Sequence, residues 1–265
     1  MDGAMGTELQ RLARSPIGRH LTEPQRACRV HSSYTAVGAR VVLTNTFQTN
    51  PLTLAQHVCG KQHHSLWCEA IGCARNADPR PRFILGDVGP IQYCTKKTAS
   101  SILTECSDLD GILLETWSSL ADLRMFARAL DDRTPPLLVS FTFHRSRRHG
   151  WCTFADVRPE ACALAAQKAG AAALGVNCGR NLAMKQMFEI VLRYRGKCDL
   201  PIFIRPNAGT PKKTRTGWVY PYTPEAMAEK LPPLLQAGVA MVGGCCGTTP
   251  AHLAKFRQVI DEWNR

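Results

Sequence analysis

Two adjacent cysteines are the first residues in this chain with chemistry to offer. Cys245 and Cys246 lie in the run Gly243-Gly244-Cys245-Cys246-Gly247-Thr248-Thr249-Pro250, directly after the apolar stretch Val239–Val242. On a regular strand, neighbouring side chains point to opposite faces. Both thiols therefore reach one site only where the backbone bends, and Gly243, Gly244 and Gly247 supply that freedom. A third thiol, Cys178, ends another apolar stretch in the sequence Gly175-Val176-Asn177-Cys178-Gly179. Three thiolates brought together would hold Zn²⁺ with its fourth position open, the pattern of a catalytic metal. Spacing alone leaves two other readings. The three are buried packing thiols, or one of them is a nucleophile, although no histidine partner stands at a strand end.

The elements that must position these thiols are legible as alternating patterns. Residues 41–44, 83–85, 111–114, 137–143, 172–176, 201–204 and 239–242 are short aliphatic runs without clean alternation, as parallel strands covered on both faces should be. Between them, residues 23–37, 65–77, 121–130, 159–169, 182–194, 224–236 and 250–263 carry helical periodicity. Thr22, Thr223 and Thr249 stand at N-cap positions, with Pro224 and Pro250 at the first helical turn. Gly38, Gly170 and Gly238 stand where helices should stop. An eighth strand is expected around residues 1–3, and a weak helix near 99–106.

Strand–helix alternation over this length predicts a single α/β domain, residues 1–265, folded as a (β/α)8 barrel. A doubly wound open sheet is the alternative. In a barrel the chemistry sits at the C-terminal strand ends. Those ends carry Asp2, Thr44-Asn45, Asp87, Glu115, Thr142, Asn177-Cys178, Asn207 and Cys245-Cys246.

Composition narrows the class. Hydrophobic residues are 45% and charged residues 20% of the 265, which excludes a wholly disordered chain. No run approaches the roughly 18 apolar residues of a membrane span, and no basic-then-apolar leader is apparent at the start. Twelve cysteines in a chain of this kind read as reduced thiols in a cytoplasmic setting rather than a disulfide framework. The net charge of +12 points to an anionic partner but says nothing of fold. It is concentrated in residues 144–149 (HRSRRH) and 211–215 (PKKTR), both expected at the barrel mouth. Nucleic-acid binding is not expected, because no groove-reading or stacking motif accompanies the charge.

With these residues in place, the chain resembles the homocysteine S-methyltransferase family, zinc-dependent barrels that also form the homocysteine-binding module of cobalamin-dependent methionine synthase. The resemblance is carried by DGAMGTEL (residues 2–9), TNTFQTN (44–50), Gly89-Pro90, LLET (113–116), VSFTF (139–143), GVNCG (175–179), PNAG (206–209) and GGCCGTTPAHL (243–253). It implies that Cys178, Cys245 and Cys246 are the zinc ligands and that the homocysteine sulfur is the fourth. It also implies that Glu115, helped by Asp2, binds the substrate ammonium and that the backbone at Gly3, Ala4 and Met5 takes the carboxylate. Asn177 supports the site, and no catalytic residue beyond the zinc site is implied.

The implied activity is transfer of a methyl group to the homocysteine thiol, giving methionine. The donor is S-methylmethionine, S-adenosylmethionine, betaine, or methylcobalamin on another protein. The alternative is a non-catalytic homocysteine- and zinc-binding module acting with a separate cobalamin or folate methyl carrier. Two departures from the family pattern lead us to expect a shortened first strand and a trimmed third helix. Phe47, Trp117, Trp151 and Tyr220 are candidates to line a site for a cationic donor.

Overall fold

The computed structural model describes residues 1–13, 24–50, 63–215 and 217–265. Seven parallel strands form one curled sheet: β1 (Val41–Leu43), β2 (Phe83–Val88), β3 (Gly111–Trp117), β4 (Leu137–Phe141), β7 (Ala173–Asn177), β8 (Ile202–Arg205) and β11 (Val239–Val242), paired in that order. The eighth position holds no regular strand. Residues 1–3 nevertheless bridge the two edges of the sheet. The Asp2 amide donates to Val41 O (2.8 Å), the Gly244 amide donates to Asp2 O (2.9 Å), and the Met1 amino nitrogen donates to Val242 O (2.7 Å). The expected shortened first strand is thus a single extended crossing, and the architecture is that of a TIM-like barrel.

The helices lie outside the sheet. They are α1 (Met5–Ala13), α2 (Pro24–Ala36), α3 (His63–Arg75), α4 (Lys96–Glu105), α5 (Leu120–Ala127), α6 (Pro159–Lys168), α7 (Met184–Arg195), α8 (Pro224–Ala228), α9 (Leu231–Gln236) and α10 (Pro250–Trp263). Their ends follow the sequence. Thr223 caps α8 by accepting from the Ala226 amide, and Thr95 caps α4 by accepting from the Thr98 amide. Gly38, Gly170 and Gly238 take φ of 92°, 74° and 83° just past α2, α6 and α9, a left-handed turn that only glycine enters at little cost. The expected cap Thr22 and the start of its helix at Glu23 lie outside the described residues.

Residues 224–236, expected as one helix, are two. Pro232 and Pro233 have no amide hydrogen to donate, so the chain breaks at Glu229-Lys230 and restarts with both prolines in the first turn of α9. The third helix, expected to be trimmed, is α4, ten residues long, as long as α6 and longer than α5. Two antiparallel hairpins were not expected: β5 (His144–Ser146) with β6 (Gly150–Cys152), and β9 (Lys212–Thr214) with β10 (Gly217–Val219). They contain the two basic segments.

The barrel interior begins with an apolar floor of Leu43, Leu85, Leu113, Leu138, Ala173 and Phe203. Gly175 lies opposite Phe203 in register, and a Cβ there would approach the Phe203 ring to 2.2 Å. Glycine on β7 is what lets the large ring fill the centre. Between sheet and helices lies the larger core, with Trp67, Tyr34, Phe126, Phe141, Tyr194 and Phe256 among its most buried members. No described helix is long and apolar enough to cross a membrane.

Candidate functional site

Three sulfurs converge where β7 and β11 end. The Sγ atoms of Cys178, Cys245 and Cys246 all lie within 4.8 Å of one another, with Cys178–Cys246 and Cys245–Cys246 each at 4.0 Å. Four sulfurs placed about 2.3 Å from a tetrahedral zinc stand about 3.8 Å apart. The spacing therefore suits a shared metal and is far too long for a disulfide. Every cysteine among the described residues is free.

The loop geometry explains how adjacent residues 245 and 246 serve one point. Gly244 leaves no room for a side chain, since a Cβ would meet Thr248 Oγ1 at 2.2 Å. That hydroxyl in turn donates to Cys245 O (2.8 Å) and accepts the Ala4 amide (3.2 Å). Gly247 takes φ 80° with the Tyr220 ring packed against it. Cys178 itself sits at φ 51°, an uncommon backbone for a residue with a side chain. Its sulfur accepts from Asn207 Nδ2 (3.5 Å).

Without a metal the three thiols share their charge unequally. Hydrogen bonds from Cys245 and then Cys246 pull the Cys178 thiol down to about 3. The same contact with Cys178 pushes Cys246 up to about 12 and raises Cys245 well above the ordinary thiol range. One thiolate held by two thiols is a set ready to lose two more protons to a divalent cation.

Below the sulfurs lies a charged layer. Side chains two positions apart on a strand share a face, so Asp87, Glu115 and Arg205 rise inward above Leu85, Leu113 and Phe203. The Arg205 guanidinium donates from Nη1 to Glu115 Oε1 (2.5 Å), and from Nη2 to Asp2 Oδ1 (3.1 Å) and Gly3 O (3.2 Å). The second Asp2 oxygen accepts the Leu43 amide (2.8 Å). All these side chains are buried.

Burial raises the Asp2, Asp87 and Glu115 carboxyls; Arg205 opposes it in each, and the charge of Glu115 lifts Asp87 further. Burial works against the Arg205 charge, but Glu115 and then Asp2 outweigh it and hold its pKa above the ordinary range.

Of the residues singled out in the sequence, the three cysteines meet, and Asp2 and Glu115 meet through Arg205. Sequence reasoning missed Arg205, although its inward register two residues after Phe203 was the available signal. Asn177 holds the end of β3. Its Nδ2 donates to Thr116 Oγ1 (2.7 Å), and its Oδ1 accepts from the Thr116 amide (3.1 Å) and from Ser140 Oγ (2.6 Å). These bonds fix Thr116 at φ 65°, a strained backbone for a β-branched residue. Gly3, Ala4 and Met5 lie at the start of α1, where a Cβ on Gly3 would strike the Tyr34 ring at 2.6 Å.

Among the aromatic candidates, Trp117 and Trp151 are packing residues. Each is buried, with its indole N–H given to Val88 O and Glu189 respectively. The Tyr220 ring packs against Gly247, the residue after Cys246.

The chain is similar to known proteins in sequence and in fold. The family model described as homocysteine S-methyltransferase matches residues 1–260. The methionine synthase of Mycobacterium tuberculosis is 29% identical over 300 residues, covering 98% of this chain and 24% of the relative. That of Mycobacterium leprae is 28% identical over 298 residues, covering 99% and 24%. The chain thus spans about a quarter of the length of these relatives. The metallated form of the homocysteine methyltransferase MmuM from Escherichia coli superposes with a TM-score of 0.76 at 22% identity, covering 97% of this chain and 94% of that one. Its oxidized form gives 0.77 over the same coverage. At that identity the likeness is one of fold.

Proposed function

We propose methyl transfer to the thiol of homocysteine, giving methionine, for this chain, which belongs to the homocysteine S-methyltransferase family. The observation that carries the proposal is the three-sulfur cluster of Cys178, Cys245 and Cys246 at near-tetrahedral spacing above a buried charged layer. These three residues would hold zinc. The metal, when bound, stabilises the substrate sulfur as a thiolate at neutral pH, where a free thiol is mostly protonated.

The chain's own residues do the rest. Asn207 steadies Cys178, and Asn177 fixes the turn that aims Glu115 inward. The turn at Gly3, Ala4 and Met5 would offer the start of α1 to the substrate carboxylate through the Gly3 and Met5 amides, the Ala4 amide being given to Thr248 Oγ1. The acid layer containing Asp2 and Glu115 faces the ammonium end. Alignment of thiolate and donor supplies the rate. Free thiols among the described residues suit a reducing compartment such as the cytoplasm.

The test is a donor panel. Zinc-loaded protein and homocysteine are mixed separately with S-methylmethionine, S-adenosylmethionine, betaine and a methylated corrinoid protein, and methionine is measured. Methionine from any donor, lost in Cys246→Ser, supports the reading. Absence of both zinc and product refutes it.

A second reading is favoured by the coverage of the methionine synthases, of which this chain matches 24%. On that reading the barrel binds homocysteine and zinc for a separate cobalamin or folate methyl carrier. The hairpins β5–β6 and β9–β10, with Arg145, Arg147, Arg148, Lys212 and Lys213, offer such a carrier a basic rim. Product formed only with the corrinoid protein selects this reading.

A further inference from the structure

The charged layer has an unequal balance. Three carboxyls, Asp2, Asp87 and Glu115, surround one guanidinium, Arg205. Two of the three are already matched. Asp2 spends one oxygen on Arg205 and the other on the Leu43 amide. Glu115 accepts from Arg205 through Oε1. Asp87 Oδ1 remains, buried and without any hydrogen-bond partner. Thr142 Oγ1 and Asn207 Oδ1, which follow β4 and β8 at the same end of the barrel, are buried and unpartnered as well. Buried oxygens without donors are costly, and a fold keeps them where a ligand brings the missing hydrogens. Beyond Arg205, the layer lacks a second cation that donates hydrogen bonds to Asp87.

We propose that Asp87 receives the ammonium group of the thiol substrate, and that Arg205 sets this specificity by engaging Asp2 and Glu115. The inference rests on the homocysteine reading above and refines it. Arg205 lies between the two carboxylates that an ammonium would otherwise approach, and its ion pairs hold them in place as supports. An aminothiol completes the layer: its sulfur joins the three cysteines, and its ammonium supplies donors to Asp87. A thiol of the same length without the amino group leaves Asp87 Oδ1 unpaired.

The test reads binding, not turnover. Protein loaded with cobalt(II) through its three cysteines already shows a sulfur-to-cobalt charge-transfer band, and a fourth thiolate is read as an increase in it. Titrations compare homocysteine with 4-mercaptobutanoate, which lacks only the ammonium. Wild type should prefer homocysteine. Asp87→Asn should weaken homocysteine by about 10- to 100-fold, the value of a charge-assisted bond, while 4-mercaptobutanoate stays within about threefold. Asp87→Ser, which keeps a hydroxyl but no charge, should behave the same way. Unchanged cobalt stoichiometry shows that each variant is folded.

In Glu115→Gln the preference for homocysteine should persist, because its direct contact is with Arg205. If Glu115→Gln abolishes the preference and Asp87→Asn does not, the assignment to Asp87 is wrong. If the charge-transfer band of wild-type cobalt protein does not change with either thiol, the homocysteine reading falls and this inference with it. A band whose homocysteine preference ignores Asp87 overturns this inference alone.

Discussion

Replacing Arg205 with methionine removes the only cation that bonds to the inner acid layer among the described residues while keeping most of the side-chain volume. The guanidinium makes three bonds, to Glu115, Asp2 and Gly3 O. Arg205 and its two charged partners are over nine-tenths buried as side chains. Removing one member of a buried pair leaves an uncompensated charge and costs about 3–5 kcal/mol, and here one deletion strands two carboxylates. The loss should depend on pH. Burial already raises Asp2 and Glu115 while Arg205 lowers them; without Arg205 they rise further. A carboxyl raised by folding contributes stability below its unfolded pKa and loses it as pH climbs through the folded value. The variant should therefore lie close to wild type near pH 4, where both carboxyls take up protons, and fall behind as pH rises. Urea unfolding of metal-free protein, followed by tryptophan fluorescence, at about pH 5 and about pH 8, measures this. Adding Glu115→Gln to the variant should recover part of the loss at the higher pH. A deficit below about 1 kcal/mol, or one equal at both pH values, would refute the reasoning.

Four further outcomes follow from the same structure. Cys178→Ser or Cys246→Ser should reduce bound zinc from about one per chain to well under half, read by elemental analysis after dialysis against free metal. Asn177→Ala removes three bonds around Thr116; at about 1 kcal/mol each it should lower stability by about 2–3 kcal/mol and weaken homocysteine binding to cobalt protein. His31 is buried with neither ring nitrogen partnered, and burial lowers its pKa from 6.5 to about 4. Its neutral ring is stable above pH 6.5, and about 3 kcal/mol should be lost as pH falls towards 4; His31→Leu should flatten that part of the stability profile. Gly244→Ala forces a methyl against Thr248 Oγ1 and should disturb the cysteine loop, seen as weaker zinc retention with the melting temperature changed by only a few degrees, about 1–3 kcal/mol.

The cysteines were legible because their neighbours announce a bent backbone: glycines on both sides of Cys245-Cys246, and Cys178 between Asn177 and Gly179. Strand ends were legible as the points where aliphatic runs stop, and Thr223, Gly38, Gly170 and Gly238 marked helix limits by local chemistry. Arg205 was hidden because a charged residue after Ile202-Phe203-Ile204 reads as the start of a loop; only the register with Asn177 on β7 shows that it is still inside the barrel. The hairpins around residues 144–152 and 212–219 have too few apolar residues to display a period. The split between α8 and α9 was in the sequence, as Pro232-Pro233, but helical spacing on both sides masked it. Helix α1 was concealed by its overlap with the turn that carries Asp2.

Residues 1–3 do more than fill a gap between β1 and β11. The backbone of Asp2 links Val41 to Gly244, while its carboxylate holds Arg205. These contacts join positions about 40 and 240 apart in sequence, the most expensive kind of loop to close. Asp2 consequently joins the inner acid layer, and Arg205 gains its second carboxylate, only when the barrel's seam shuts. The proposed substrate site would therefore be completed by the same step that closes the ring.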